Sequence, residues 1–177
     1  MKRILCATAC VVMTACGGGG GGSESGVVVT PDNVDTLVAS RTSTSGGPSS
    51  SEQDANFGRL LNDYRLASGV GAVQFDSRLN RAAQKHTEDM VKRGYFSHRS
   101  PEGTDVGQRV RAEGYDYSFV AENIAWRQQS DAEVFKDWQN SPSHDRAMKD
   151  GRAEDFGLGV AGTGNDVKWT LIVGAEK

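Results

Sequence analysis

The sequence predicts an α+β domain in which helices pack on a small antiparallel sheet. Apolar residues recur at helical spacing after Glu52 and through most of the chain that follows. Near the end, segments 156–162 and 168–174 alternate or run apolar around the turn 163–166, which is typical of a terminal antiparallel β-hairpin. Because each element has an apolar face to bury, we expect the helices and the sheet to form three layers.

The first two predicted helices are separated by a short extended link. The first ends near Gly69, and apolar residues at helical spacing define it, namely Phe57, Leu60, Leu61 and Tyr64. The link covers 72–75, and Asp76 is a good N-cap for the second helix, which ends at Gly94. His86 shares the apolar face of this helix with Met90, so we interpret it as a buried structural histidine.

The middle of the chain predicts two more helices and one strand. A loop over 95–103 leads to a short helix around 106–113, an extended segment over 119–126 and a helix over 131–140. The last of these packs through an apolar face that includes Trp138. We assign all three tryptophans to the core, namely Trp126, Trp138 and Trp169. The compact domain is predicted over 53–177.

The amino terminus carries a targeting signal. Two basic residues precede the apolar run 4–15, which is too short to cross a bilayer core, since this takes about 20 residues. Its length fits the apolar region of a signal peptide. The run ends in the sequence MTAC, which resembles a bacterial lipobox and implies cleavage after residue 15 and acylation of Cys16. The alternative is an ordinary secretory signal with an incidental cysteine.

Residues 16–52 are predicted to be the lipidated cysteine and a flexible tether. The segment is rich in glycine and serine and cannot bury enough apolar surface to offset its chain entropy. Two valine-containing stretches, 27–29 and 34–38, could instead form a short strand or dock on the domain. Several acyl chains at Cys16 would attach the protein to a membrane of the cell envelope. Gly17 favours the outer membrane in a Gram-negative host, by resemblance to lipoproteins; the alternative location is secreted.

Composition excludes several classes of protein. The three cysteines are Cys6, Cys10 and Cys16, so the domain has no disulfide framework, no four-cysteine zinc module and no catalytic thiol. A net charge of -3 argues against binding of nucleic acid, which needs a basic face. The HExxH, GxSxG and P-loop motifs are also absent from the sequence. No heptad pattern predicts a coiled coil, and we expect a monomer.

Five short motifs in a fixed order indicate a family. Together they resemble the motif series of bacterial CAP domains, the superfamily of cysteine-rich secretory proteins, antigen 5 and plant pathogenesis-related proteins. The resemblance covers 55–175 and implies an α-β-α sandwich of the CAP type with a central open cleft. The motifs are FSH at 96–98, SPEG at 100–103, AENIA at 121–125, Trp138 followed by SPSH at 141–144, and GLG at 157–159.

The resemblance also implies a site. His98 and His144 match the two cleft histidines of the family, and Glu122 matches the glutamate of the AENIA motif. In the family such residues can hold a divalent metal, often Zn²⁺. A second cleft glutamate of many eukaryotic members has no counterpart here, which reduces the cluster to three residues. We interpret Ser97 and Ser141 as caps of backbone amides rather than as nucleophiles.

Three functions are compatible with these residues. The first is a membrane-anchored binding module whose cleft takes a small apolar molecule, a peptide or a glycan, with or without a metal. The second is a zinc-dependent hydrolase in which His98 and His144 hold the metal and Glu122 is the general base. The third is a structural or partner-binding envelope protein in which the trio has no role. Since no established catalytic motif is present, we favour the binding module over an enzyme.

Overall fold

A computed structural model describes residues 50–177. The predictions for the signal peptide, for Cys16 and for the tether up to residue 49 lie outside the described residues. Within the part of the chain that the structure describes, the helices lack the length and apolar character needed to cross a membrane.

The described chain contains five α-helices and a four-stranded sheet, which confirms the predicted α+β class. The helices are α1 (Ser50–Ala67), α2 (Ser77–Lys92), α3 (Val106–Ala112), α4 (Asp131–Asn140) and α5 (Pro142–Met148). The strands are β1 (Gln74–Phe75), β2 (Tyr117–Trp126), β3 (Asp155–Ala161) and β4 (Lys168–Glu176), and a 3₁₀ turn (Gly164–Asp166) precedes β4.

Two helices differ from the sequence prediction. Helix α1 begins at Ser50, so the last residues of the predicted tether are helical. Helix α5 was not predicted, because seven residues that begin with a proline show too few turns for an apolar period. The cap of α2 is as predicted: the Asp76 side chain accepts hydrogen bonds from the backbone N–H groups of Arg78 and Leu79.

The sheet has the strand order β1-β3-β4-β2. Strands β3 and β4 pair antiparallel and form the predicted terminal hairpin, while β2 pairs antiparallel with β4. Strand β1 pairs parallel with β3. Strand β2 therefore lies at one edge of the sheet. Its side away from β4 has no neighbouring strand in the described sheet, so groups from the flanking helices and loops can approach it there.

Helices cover both faces of this sheet, as the α-β-α prediction requires. One core cluster joins α2 and α3 to the sheet through residues such as Leu79, Val110 and Ile172. The other joins α1, α4 and α5 to the opposite face, with the Trp138 ring 5.8 Å from that of Phe57 in an edge-to-face arrangement. Burial of these apolar side chains is the main stabilising contribution.

The three tryptophans do not share one environment. Trp138 and Trp169 are each 1% exposed, whereas Trp126 is 40% exposed, so the assignment of Trp126 to the core is wrong. Trp126 is the last residue of an edge strand, and its ring has a neighbouring strand on one side only.

The GLG motif at 157–159 has a packing role. Both glycines lie on β3 where the backbone of α2 approaches the sheet. A Cβ atom at Gly157 would lie 2.1 Å from the backbone nitrogen of Asn80, and one at Gly159 would lie 2.4 Å from the carbonyl carbon of Ala83. These distances are far below van der Waals contact, so only glycine allows the helix to pack this closely.

We expect Gly159→Ala to destabilise the domain by about 2–3 kcal/mol, because the new methyl group must push α2 away from β3. Gly151→Ala is the matched control, since a Cβ atom there has no heavy atom within 4 Å, and its effect should stay within about 0.5 kcal/mol. Urea unfolding of the two variants measures the difference. Equal unfolding midpoints would show that the close approach of α2 to β3 is not energetically important.

Candidate functional site

Glu122 is the centre of the candidate site. It lies in edge strand β2, and its side chain is only 2% exposed. One carboxylate oxygen, Oε1, accepts a hydrogen bond from His98 Nδ1 at 2.9 Å. The other, Oε2, accepts from Arg109 Nη2 at 2.6 Å. Both oxygens of the buried carboxylate are therefore bound by protein donors.

Arg109 reaches this carboxylate from α3. Its guanidinium also donates to the backbone carbonyls of His98, at 3.1 and 3.2 Å, and of Thr104, at 2.9 Å. One side chain thus neutralises Glu122 and fastens the loop that carries His98. The role of Arg109 could not be predicted from the sequence, because no spacing or motif links a residue of a short helix to a glutamate in the following strand.

His98 is the more accessible of the two predicted cleft histidines. Its side chain is 57% exposed, and its Nδ1 donates to Glu122. This bond places the proton of the neutral ring on Nδ1 and leaves a lone pair on Nε2, which has no hydrogen bond to the described residues. Histidines that bind metals commonly donate their other ring N–H to a carboxylate in this way, which fixes the orientation of the imidazole.

His144 comes to the site from the first turn of α5. Its backbone carbonyl accepts a hydrogen bond from Asn123 Nδ2 at 3.0 Å, which joins α5 to β2. Burial lowers the pKa of His144 from its usual value, and repulsion from nearby His98, when that ring is protonated, lowers it further. His144 is therefore neutral at neutral pH, as a metal ligand or a hydrogen-bond acceptor must be.

Ser141 differs from its predicted role. It stands at the N-cap of α5, but its side chain makes no cap hydrogen bond. Its Oγ instead lies 2.9 Å from Nδ1 of His144 and fixes the orientation of that ring. The prediction of a capping serine is correct for Ser97, whose Oγ accepts from the backbone N–H of Arg99 at 3.1 Å.

His86 is separate from the pair. It is 2% exposed, and its Nε2 lies 3.0 Å from the carbonyl oxygen of Ser97. Burial lowers the pKa of His86, so the ring is neutral and donates from Nε2 to this carbonyl. Because Ser97 directly precedes His98, the hydrogen bond from His86 helps to fix the loop that carries His98.

The site contains the imidazoles of His98 and His144, whose Nε2 atoms have no hydrogen bond to the described residues. Its carboxylate, that of Glu122, already accepts hydrogen bonds from His98 and Arg109. Among residues 50–177, His, Cys, Asp and Glu side chains form no group of three that could hold a metal ion. Glu122 is thus suited to orienting the imidazole of His98. The structure brings His98, Glu122 and His144 to the β2 edge of the sheet. Their exposure differs: His98 is exposed, His144 is half-buried and the side chain of Glu122 is buried.

Comparison with known proteins places these residues in a family. The family model described as CAP, cysteine-rich secretory protein family, matches residues 59–173. The protein YkwD of Bacillus subtilis (strain 168) is 29% identical over 130 residues, which are 73% of this chain and 51% of YkwD. The membrane protein YlbC of the same strain is 29% identical over 101 residues, 57% of this chain and 29% of YlbC. The chain spans about half or less of these relatives.

Solved structures share the fold. An outer surface protein from Borrelia burgdorferi is similar with a TM-score of 0.68 and 19% identity, covering 73% of this chain and 97% of that chain. An extracellular protein containing a SCP domain from Bacillus anthracis str. Ames is similar with a TM-score of 0.63 and 22% identity, covering 86% of this chain and 45% of that chain.

Proposed function

Because this chain belongs to the CAP family of cysteine-rich secretory proteins, we propose that it is a binding module that takes its ligand at the free edge of β2. His98 and His144 are the residues that contact the ligand or a metal ion bound with it. The ligand class is a small apolar molecule, a peptide or a glycan. We place the module in the cell envelope, attached through the predicted lipid on Cys16 or, in the alternative, secreted.

One observation supports binding over hydrolysis: both carboxylate oxygens of Glu122 already accept hydrogen bonds from protein groups. A general base must accept a proton from a water molecule, and it needs a free oxygen within reach of that water. Here one oxygen accepts from His98 and the other from Arg109, and the side chain is 2% exposed. The carboxylate therefore orients His98 and balances Arg109.

A divalent metal such as Zn²⁺ would be held by Nε2 of His98 and Nε2 of His144. Nitrogen ligands suit zinc, and the remaining positions would be left for water or for donor atoms of the ligand. The hydrogen bonds of Nδ1 to Glu122 and to Ser141 leave these two atoms as the available ligands. Two protein ligands form a weaker site than the three of a typical catalytic zinc centre.

The location is supported by the sequence and by the relatives. The apolar run 4–15 and the MTAC sequence predict export and lipidation of Cys16. Two similar structures are described as an outer surface protein and as an extracellular protein. An envelope location would present the open edge of β2 to ligands outside the cytoplasm.

Calorimetric titration of the purified protein with ZnCl₂ tests the metal site. We expect one saturable zinc per chain, with affinity reduced by about tenfold or more in His98→Ala and in His144→Ala, because each removes one of two ligands. Arg99→Ala is the control, since Arg99 adjoins His98 and its side chain is 68% exposed. Affinity should also fall as the pH drops toward the pKa of His144, which burial holds below its ordinary value, because protons then compete with zinc for that imidazole.

Two results would contradict the proposal. Zinc affinity that is the same in the wild type and in both histidine variants would exclude the imidazole pair as the metal site. Turnover of a peptide, ester or glycan substrate that is lost in Glu122→Gln, with the fold retained, would show that the protein is a hydrolase.

A further inference from the structure

A second surface lies at the end of β2, where Trp126 is the last residue of the strand. Phe96 and Trp126 are 44% and 40% exposed, and their ring centroids are 6.1 Å apart with the planes tilted by 38°. We call these two residues the aromatic ledge. They line a cavity of about 200 Å³ together with Gly94, Tyr95, Asp166 and Lys168. Exposed large aromatic side chains that meet in a concave surface are typical of binding sites.

The indole of Trp126 is held in place by its neighbours. Its Nε1 donates to the carbonyl oxygen of Asn165 at 2.9 Å. The guanidinium carbon of Arg127 lies 4.5 Å from the centre of the ring. A ring fixed in this way loses little conformational entropy when a ligand packs on it.

Arg127 adopts a backbone conformation that is unusual for its residue type. Its φ is 85°, in the left-handed region, and it is the one non-glycine residue with positive φ in the described chain. Its N–H donates to the carbonyl oxygen of Val167 at 2.7 Å, which connects the end of β2 to the turn before β4. Residues in such strained conformations are concentrated at functional sites, where the surrounding structure maintains them.

The charges in the cavity determine which ligand fits. Lys168 is 3% exposed and forms an ion pair with Asp166, whose side chain is 53% exposed. The pair is neutral overall, so the cavity lining favours neither an anionic nor a cationic ligand. It also provides an exposed carboxylate acceptor on Asp166, which a purely apolar ligand would cover without offering a hydrogen-bond donor.

A saccharide ring meets both requirements. It has an apolar C–H surface that packs on aromatic rings, and its hydroxyl groups can donate to a carboxylate. We propose that the aromatic ledge binds a pyranose ring of a neutral glycan, with the exposed carboxylate of Asp166 accepting from its hydroxyl groups. The proposal depends on the ledge alone and not on the imidazole pair, so the two can fail separately.

Tryptophan fluorescence tests this assignment, because Trp126 is the exposed tryptophan and the other two are each 1% exposed. We expect a saturable change in the emission of the purified protein on titration with chitotetraose or cellotetraose. Calorimetry should show binding about tenfold weaker in Trp126→Ala, which removes the larger ring of the ledge. Phe75→Ala is the matched control, since Phe75 is an exposed aromatic residue on β1, at the other edge of the sheet.

A second variant tests the proposal in case Trp126→Ala does not fold. Asp166→Asn leaves both rings in place and should also weaken binding of the oligosaccharide, whereas the control Phe75→Ala should leave it unchanged. The proposal is overturned by a lack of saturable binding to either oligosaccharide, or by equal affinity in the wild type, Trp126→Ala and Asp166→Asn. An emission change with phosphatidylethanolamine–phosphatidylglycerol vesicles and none with oligosaccharides would overturn it in favour of a membrane contact.

Discussion

Replacing Arg109 by methionine is expected to destabilise the domain by about 3–5 kcal/mol, the usual cost of removing one partner of a buried ion pair. The side chain of Glu122 is 2% exposed and that of Arg109 is 10% exposed. Without the guanidinium, a buried carboxylate loses its balancing charge, and the carbonyls of His98 and Thr104 lose their donor. Urea unfolding at neutral pH measures the loss of stability.

The control for this variant lies on the same helix. Arg111→Met removes a guanidinium that is exposed and lies over the ring of Tyr117 at 4.2 Å, so we expect a loss of only about 1 kcal/mol or less. The double variant Arg109→Met, Glu122→Gln removes both charges of the pair and should recover part of the lost stability. If Arg109→Met were no more destabilising than Arg111→Met, the ion pair would not be important for the fold.

The same variant has a consequence for the site. Since Arg109 fastens two carbonyls of the loop that carries His98, Arg109→Met should increase hydrogen exchange over 98–104 relative to wild type. A loosened loop would also reduce zinc affinity, because His98 would no longer be held beside Glu122. Unchanged exchange in this loop would show that other contacts are sufficient to fix it.

The second large effect is expected at Arg65, near the end of α1. The residue is 0% exposed, and its guanidinium donates to four backbone carbonyls, those of Gly71, Met148, Asp150 and Ala153. Burial lowers the pKa of Arg65, yet an arginine remains charged inside a protein. One side chain thus joins the end of α1 to the end of α5 and to the segment before β3.

Arg65→Met should cost about 3–5 kcal/mol, because it removes four hydrogen bonds and leaves the buried carbonyls of Met148 and Ala153 without this donor. Arg65→Lys should recover little of this, since one ammonium group cannot reproduce the planar set of guanidinium donors. Arg59→Met is the matched control on the same helix: its side chain is 66% exposed, and its 3.6 Å ion pair with Asp63 should contribute less than about 1 kcal/mol. Similar unfolding midpoints for Arg65→Met and Arg59→Met would refute the assigned role.

Part of the candidate site could be predicted from the sequence and part could not. The motif order identified the family, and the family model confirms it over 59–173. Two hydrogen bonds to the motif residues were not predicted. Arg109 donates to Glu122, and the hydroxyl of Ser141 lies within hydrogen-bond distance of His144. The residues that flank Arg109 do not indicate that its guanidinium will bind a buried carboxylate. Those that flank Ser141 do not indicate that its hydroxyl will lie beside an imidazole.

The exposed position of Trp126 illustrates the same limit. Its place in an apolar stretch indicates burial, and the same reasoning is correct for Trp138 and Trp169. Which tryptophan ends an edge strand depends on the strand order, and strand order is not encoded in the local pattern of any one strand. The aromatic ledge could therefore be recognised only from the fold.

The sequence by itself determined the α+β class, the terminal hairpin and the Asp76 cap, because these depend on short-range periodicity and on the chemistry of single residues. It also determined the family, because five ordered motifs are specific. The tertiary structure decided which groups meet across the chain: His98 with Glu122, Arg109 with both, and Arg65 with three distant carbonyls. Such contacts depend on how the layers pack, and that is a property of the whole fold.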